Sequence, residues 1–175
     1  MRLVGYVREG PGPIDNDTPY AQSERIRRYA TEGGHQLIAM CQDVRQPGHS
    51  LGRDGYVAML GIINTDQVDA TVIGSVASLS ADAITQEILI WDLRSRGVRV
   101  ISTEESDVDI LAEPPLDPSR RLIRDVLARV RDHLSALEPP GPPPLAIREP
   151  PALQEGDVII ELVPAADEER RGSSA

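Results

Sequence analysis

Apolar residues follow two alternating rhythms through the first three quarters of the chain. Residues 3–7, 35–43, 68–76 and 98–103 are short, nearly continuous apolar runs of strand length. Such runs suit strands whose two faces are both covered. Between them, apolar positions recur at helical spacing. A helix is expected from near Tyr20 to the Gly33-Gly34 pair, with Ile26, Tyr29 and Ala30 on one face. A second covers residues 50–64, with Tyr56, Met59, Leu60 and Ile63 inward. A third covers residues 81–97, with Ile84, Ile88 and Trp91 and the pair Leu89 and Leu93 as its apolar positions. Strands alternating with helices predict an α/β domain of three layers around a mostly parallel sheet.

Asp117-Pro118 signals one more helix, by an N-cap carboxylate and a proline in the first turn. Leu122, Ile123, Val126, Leu127, Val130, Leu134 and Leu137 form a single apolar stripe along it. Arg120, Arg121, Arg124, Asp125, Arg129, Arg131 and Asp132 occupy the other face. Prolines from 139 onward stop the helix. The chain therefore divides into a domain over 1–138, a stiff Pro-rich linker over 139–156 and a tail over 157–175. Within the tail, residues 157–163 form a β-like apolar run, and the acidic end has a disordered composition. That run either adds to a sheet edge, in its own chain or a protein partner, or is a binding motif unstructured alone.

Composition narrows the chemistry. Of the 175 residues 40% are hydrophobic but only 3% aromatic, with no Phe and one Trp, so Leu, Ile, Val and Ala must build the core. The lone Cys41 excludes an internal disulfide and fits a reduced cytoplasm. No signal-peptide pattern or membrane-length apolar run is present. His35, His49 and His133 have no ligand spacing, and residues 8–13 have glycines but not the lysine of a phosphate loop, so neither metal nor cofactor is expected. Net charge is −10, shared between body and tail, which argues against strong DNA binding. All 18 basic residues are arginine.

Several separated segments resemble the catalytic domain of the serine recombinases, the resolvase/invertase family. Residues 5–8 (GYVR) resemble the first strand and active-site loop, and residues 21–37 resemble the first helix, with Gln22 where the family keeps a glutamine. Residues 43–56 resemble a stretch usually reading D-x-x-x-S-G-x-S-x-x-R-x-G-L; Asp43, Gly48, Ser50, Arg53 and Gly55 fit, and Pro47 replaces a small polar residue. Residues 68–82 resemble the segment carrying D-R-L-S-R, and residues 94–102 resemble the strand after the fourth helix.

The resemblance implies a phosphoryl transfer in which a serine oxygen attacks DNA and arginines stabilise the charge on the phosphoryl oxygens. This chain keeps Arg8, Gln22 and Arg53. It departs at four positions: Gly10 stands for the nucleophile, Ala77 for the aspartate, Ser78 for the first arginine and Ala81 for the second. Glycine has no atom with which to form the covalent bond. Arg8 and Arg53 are expected to pair with Glu9, Asp15 or Asp43 and support the loop, rather than hold an anion. For the hydroxyls near the site (Thr18, Ser23, Ser75, Ser78, Ser80), helix capping is a more ordinary role than that of substitute nucleophile, with Ser80 and Asp82 expected to cap the following helix.

The family also implies a dimer through the last helix, with Ile123, Val126, Leu127, Val130 and Leu134 as the seam. The expected function is a non-catalytic, dimerising scaffold or regulatory protein of recombinase ancestry. Two alternatives stand beside it: a helper or active site-specific recombinase, and a DNA-binding protein without cleavage.

Overall fold

The computed structural model describes residues 1–10, 17–45, 48–137 and 158–162, the last five and Leu137 by backbone alone. The Pro-rich linker, the acidic end of the tail and Asp15 lie outside them. The chain runs β1 (Arg2–Arg8), α1 (Pro19–Glu32), β2 (Gln36–Asp43), α2 (Asp54–Thr65), β3 (Ala70–Ile73), α3 (Val76–Leu79), α4 (Ala83–Ser95), β4 (Arg99–Ser102), a 3-10 turn (Glu105–Asp107), α5 (Val108–Leu111), α6 (Pro118–Leu137) and β5 (Val158–Leu162). Five strands make one sheet in the order β4-β3-β1-β2-β5. The first four are parallel, giving the expected α/β architecture, and β5 joins β2 antiparallel, Val158 opposite Asp43 and Leu162 opposite Ala39.

Alternation along β1 divides the core. Leu3 and Val7 face Ile26 and Ala30 of α1, with Leu37, Met40 and Val72. Val4 and Tyr6 face the opposite side, against Tyr56, Met59 and Ile63 of α2 and Leu89, Ile90 and Leu93 of α4. Tyr29 and Leu60, expected inward, are half-buried.

Three expectations need correction. The third apolar run stays in the sheet only to Ile73. Gly74 and Ser75 leave it, and Val76 opens α3, because Asp107 reaches across to accept the Val76 N–H at 2.7 Å and Ser75 and Ser78 cap the turn reciprocally. The second helix begins at Asp54, four residues after its apparent start. On α4, Ile84 is 56% exposed, whereas Gln86 and Glu87 are buried beside Leu89, Ile90 and Leu93. A carboxylate can be buried there because α6 supplies its partners: Arg120 donates to Glu87 at 2.7 Å and Arg124 at 2.5 Å.

That contact also revises the last helix. Two residues of its polar face dock it to α4, while Leu122, Val126, Val130 and Leu134 of its apolar stripe are exposed. Ile123 and Leu127 are half-buried between these two sides.

Candidate functional site

The carboxyl ends of β1, β2 and β3 lie side by side, and the positions singled out by the family resemblance lie around them. Asp43 ends β2 with both carboxylate oxygens engaged. Oδ1 accepts the Gly55 N–H at 2.6 Å, and Oδ2 accepts the Tyr6 hydroxyl at 2.6 Å. The first bond satisfies a free N–H in the opening turn of α2 from outside that helix. Gly55 permits it: a Cβ there would lie 2.7 Å from both Asp43 Oδ1 and the Gln42 carbonyl oxygen.

Arg53 precedes α2 and is wholly buried, its guanidinium 5.7 Å from the Tyr6 ring centroid and 5.8 Å from that of Tyr56. The two rings meet edge to face at 6.0 Å. Nη1 of Arg53 donates to the Leu79 carbonyl at 2.7 Å, and Nε stands 3.8 Å from Asp43 Oδ2. Among the described residues, Nε and Nη2 meet no acceptor within hydrogen-bond reach.

Arg8, at the end of β1, is turned toward the same short helix, α3. Its Nε donates to the Ser78 carbonyl at 2.9 Å and its Nη2 to the Ala77 carbonyl at 3.0 Å. Burial, and then the positive charge of Arg53, lower its pKa. Gln22 pins the backbone behind it: the Arg8 N–H donates to Oε1 at 3.3 Å, and Nε2 donates to the Arg8 and Asp17 carbonyls at 3.1 and 2.9 Å. Both arginines thus donate to main-chain carbonyls of residues 77–79, acceptors that the expected pairing with carboxylates did not include. Glu9 instead lies 3.9 Å from Arg45, and only Asp43 stands near Arg53. Peptide carbonyls escape a search for acid–base pairs, since every residue carries one.

The four divergent positions border this cluster. Among the described residues, a Cβ at Gly10 would meet only the Arg8 Nη1, at 3.6 Å, so they leave room for a side chain beside a guanidinium. Ala77 and Ala81 are exposed, and Ser78 is buried with its hydroxyl accepting the Ser75 N–H at 3.3 Å. Other hydroxyls do capping work. Thr18 accepts the Ala21 N–H at 3.2 Å, and Asp82 caps α4 by accepting from Thr85 N at 2.7 Å; Ser80, expected to share that cap, instead accepts the N–H of Asp82 itself at 3.1 Å, one residue short of the helix. These bonds hold the Asp82 carboxyl below its ordinary pKa. Among the described residues there is no metal-ligand cluster and no helix long and apolar enough to cross a membrane.

The site also has a connection the sequence did not reveal. The buried Gln86 accepts from Arg120 of α6 at 2.6 Å through Oε1, while its Nε2 donates to the Ser80 carbonyl at 2.6 Å. One amide thus joins the last helix to the residue that closes α3, the short helix that Arg8 and Arg53 brace. A glutamine and a glutamate side by side within an apolar helix were the available signal.

No curated protein matches the sequence. The fold is similar to those of several solved structures, among them the following three. The N-terminal catalytic domain of TP901-1 integrase shares 18% identity, with a TM-score of 0.53 over 79% of this chain and 100% of that one. A resolvase family site-specific recombinase from Streptococcus pneumoniae shares 17%, with a TM-score of 0.53 over 78% and 91%. The C-terminal catalytic domain of ISC1926 TnpA, an IS607-like serine recombinase, shares 18%, with a TM-score of 0.51 over 78% and 85%. The sequence itself matches the family described as "Resolvase, N terminal domain" over residues 3–137, well over half its length. From β1 through α6, then, this chain belongs to the resolvase N-terminal domain family.

Proposed function

We propose that this protein has lost DNA cleavage and strand exchange and serves as a dimerising scaffold or regulatory member of the recombination family. The observation that carries the reading is the state of the site around Gly10. Where the family resemblance expects an attacking oxygen there is a bare α-carbon, and among the described residues the nearest side-chain atom to a Cβ built there is the Arg8 Nη1. The two retained arginines point donors at the carbonyls of residues 77–79. Two of the four departures, Ala77 and Ala81, leave methyl groups on the surface where charge would be needed. Members of such an apparatus act as a unit, so partial retention supplies little residual catalysis.

The second half of the reading rests on α6, whose exposed Val126, Val130 and Leu134 form a ready seam for a second copy. A helper or active recombinase and a DNA-binding protein without cleavage remain the rival readings. The decisive assay incubates the protein with supercoiled and nicked plasmid DNA, denatures it, and probes for covalent protein–DNA adducts. The expected result is none. Gly10→Ser should remain inactive, although a side chain fits at that position, because charge stabilisation from positions 77, 78 and 81 is still missing. An adduct formed by the unaltered chain would overturn the proposal.

A further inference from the structure

On the far side of the molecule from β5, the sheet ends at β4 with its outer edge unpaired among the described residues. In a parallel ladder the peptide groups alternate in direction. Arg99 and Thr103 turn their N–H groups inward, to the Asp69 and Ile73 carbonyls at 3.2 and 3.0 Å. The peptide groups of Val100 and Ser102 are thereby directed to the open side. A cavity of about 770 Å³ lies along this edge between α4, α5 and α6. Five consecutive residues, 97–101, line it. Since successive strand side chains point to opposite faces, an unbroken run of lining residues means that backbone forms the floor.

The walls have a definite chemistry. Trp91 and Leu111 supply apolar surface, and four arginines line the cavity against one glutamate, in a chain whose net charge is −10. Arg124 is committed to Glu87. Arg99 and Arg131 are exposed; Arg99 lies against the Met1 sulfur and Arg131 3.4 Å from its neighbour Asp132. Arg94 is held within the wall by the Leu111 carbonyl at 2.6 Å, and binds the 73%-exposed Glu113 carboxylate at 3.1 Å. Burial lowers the pKa of this guanidinium. The Arg94–Glu113 pair shows a carboxylate already seated on the groove.

We propose that the β4 edge is a docking site for an extended acidic segment of a partner protein, which adds as a further strand. Its backbone pairs with Val100 and Ser102, its apolar side chains contact Trp91 and Leu111, and its carboxylates reach Arg94, Arg99 and Arg131. A strand edge and an apolar wall favour a peptide over a nucleic acid phosphate chain, which has no ladder of amides to offer. The site is independent of whether DNA cleavage survives.

Trp91 is the only tryptophan, so its emission reports on the groove directly. The probe is a seven-residue peptide alternating glutamate and valine, titrated into the full chain. Saturable change in Trp91 emission is expected, weakened about five- to tenfold in Arg99→Ser/Arg131→Ser, as fits two exposed ion pairs. Both positions are exposed, and circular dichroism checks the fold. A glutamine-for-glutamate peptide and a peptide N-methylated at alternate residues should each bind at least tenfold more weakly. Equal binding of either control would overturn the proposal, as would no response at millimolar peptide. So would binding only to the Val126→Asp/Val130→Asp protein, which would assign the groove to a second copy, or a response to short duplex DNA in place of the peptide.

Discussion

Arg53 illustrates how one residue can sit at a family's active site and act within the core. Its charge lies between two tyrosine rings, and its single close hydrogen bond goes to a carbonyl. The neighbouring groups share its isolation from water. Burial raises the phenol pKa of Tyr6 and Tyr56, and it lifts the Cys41 thiol to about 12, with the Asp43 charge adding to the effect. A group whose folded pKa is raised keeps its proton in the native state after the unfolded chain has released its own. Its contribution is complete below the unfolded pKa and is lost as pH climbs beyond it. Unfolded values of about 8.5 for cysteine and about 10 for tyrosine set the onset. Melting temperature should therefore fall steadily above about pH 9, and Tyr6→Phe should make the decline above pH 10 shallower. A variant with an unchanged slope would remove Tyr6 from the account.

At the level of elements, the junction of α4 and α6 departs most from the hydrophobic pattern. Glu87 is fully buried between Arg120 and Arg124, and Gln86 binds Arg120 from the same helix. Removing the carboxylate leaves two guanidinium groups facing a neutral partner away from water. Glu87→Gln should cost about 3–5 kcal/mol, measured as a lower urea midpoint with an unchanged slope. Replacing Glu87, Arg120 and Arg124 together by Leu and Met should be near neutral or stabilising by about 1–4 kcal/mol. If Glu87→Gln is neutral, the triad is not what holds α6. Helical spacing identified both helices but misread the packing face of α4 and missed the contact between the two. On α6 it selected Val126, Val130 and Leu134, which the body leaves uncovered, and it grouped Arg120 on the opposite face without its buried partner. Binary patterning sees apolar against polar; it does not see a glutamate that makes two arginines buriable. Strand runs were legible where continuous apolar residues meet both layers, as at β1. The run through β3 was overread because the force that ends it, a cap from Asp107, comes from 31 residues further along.

For the whole molecule, the exposed stripe on α6 gives the scaffold reading its clearest test. Val126 and Val130 are each about half exposed, so aspartate at both should leave the domain folded. Analytical ultracentrifugation should find a dimer for the unaltered chain and a monomer for the double variant. A monomer in both cases would end the dimer proposal. The family was readable from motifs spread between residues 5 and 102 because they include residues that also build the sheet's carboxyl end. What those residues do there was not readable, since an arginine aimed at a phosphate and one aimed at a peptide carbonyl are the same letter. The burial of Arg53 carries this further. Gln22 and Arg53 are hidden inside and Arg8 is half-sunk, whereas two of the divergent positions, 77 and 81, lie on the surface. Burial alone would hold the former in place whether or not they serve chemistry, while nothing in the packing constrains the latter. The sunken signature residues thus vouch for the masonry, and only the outward positions can vouch for a trade.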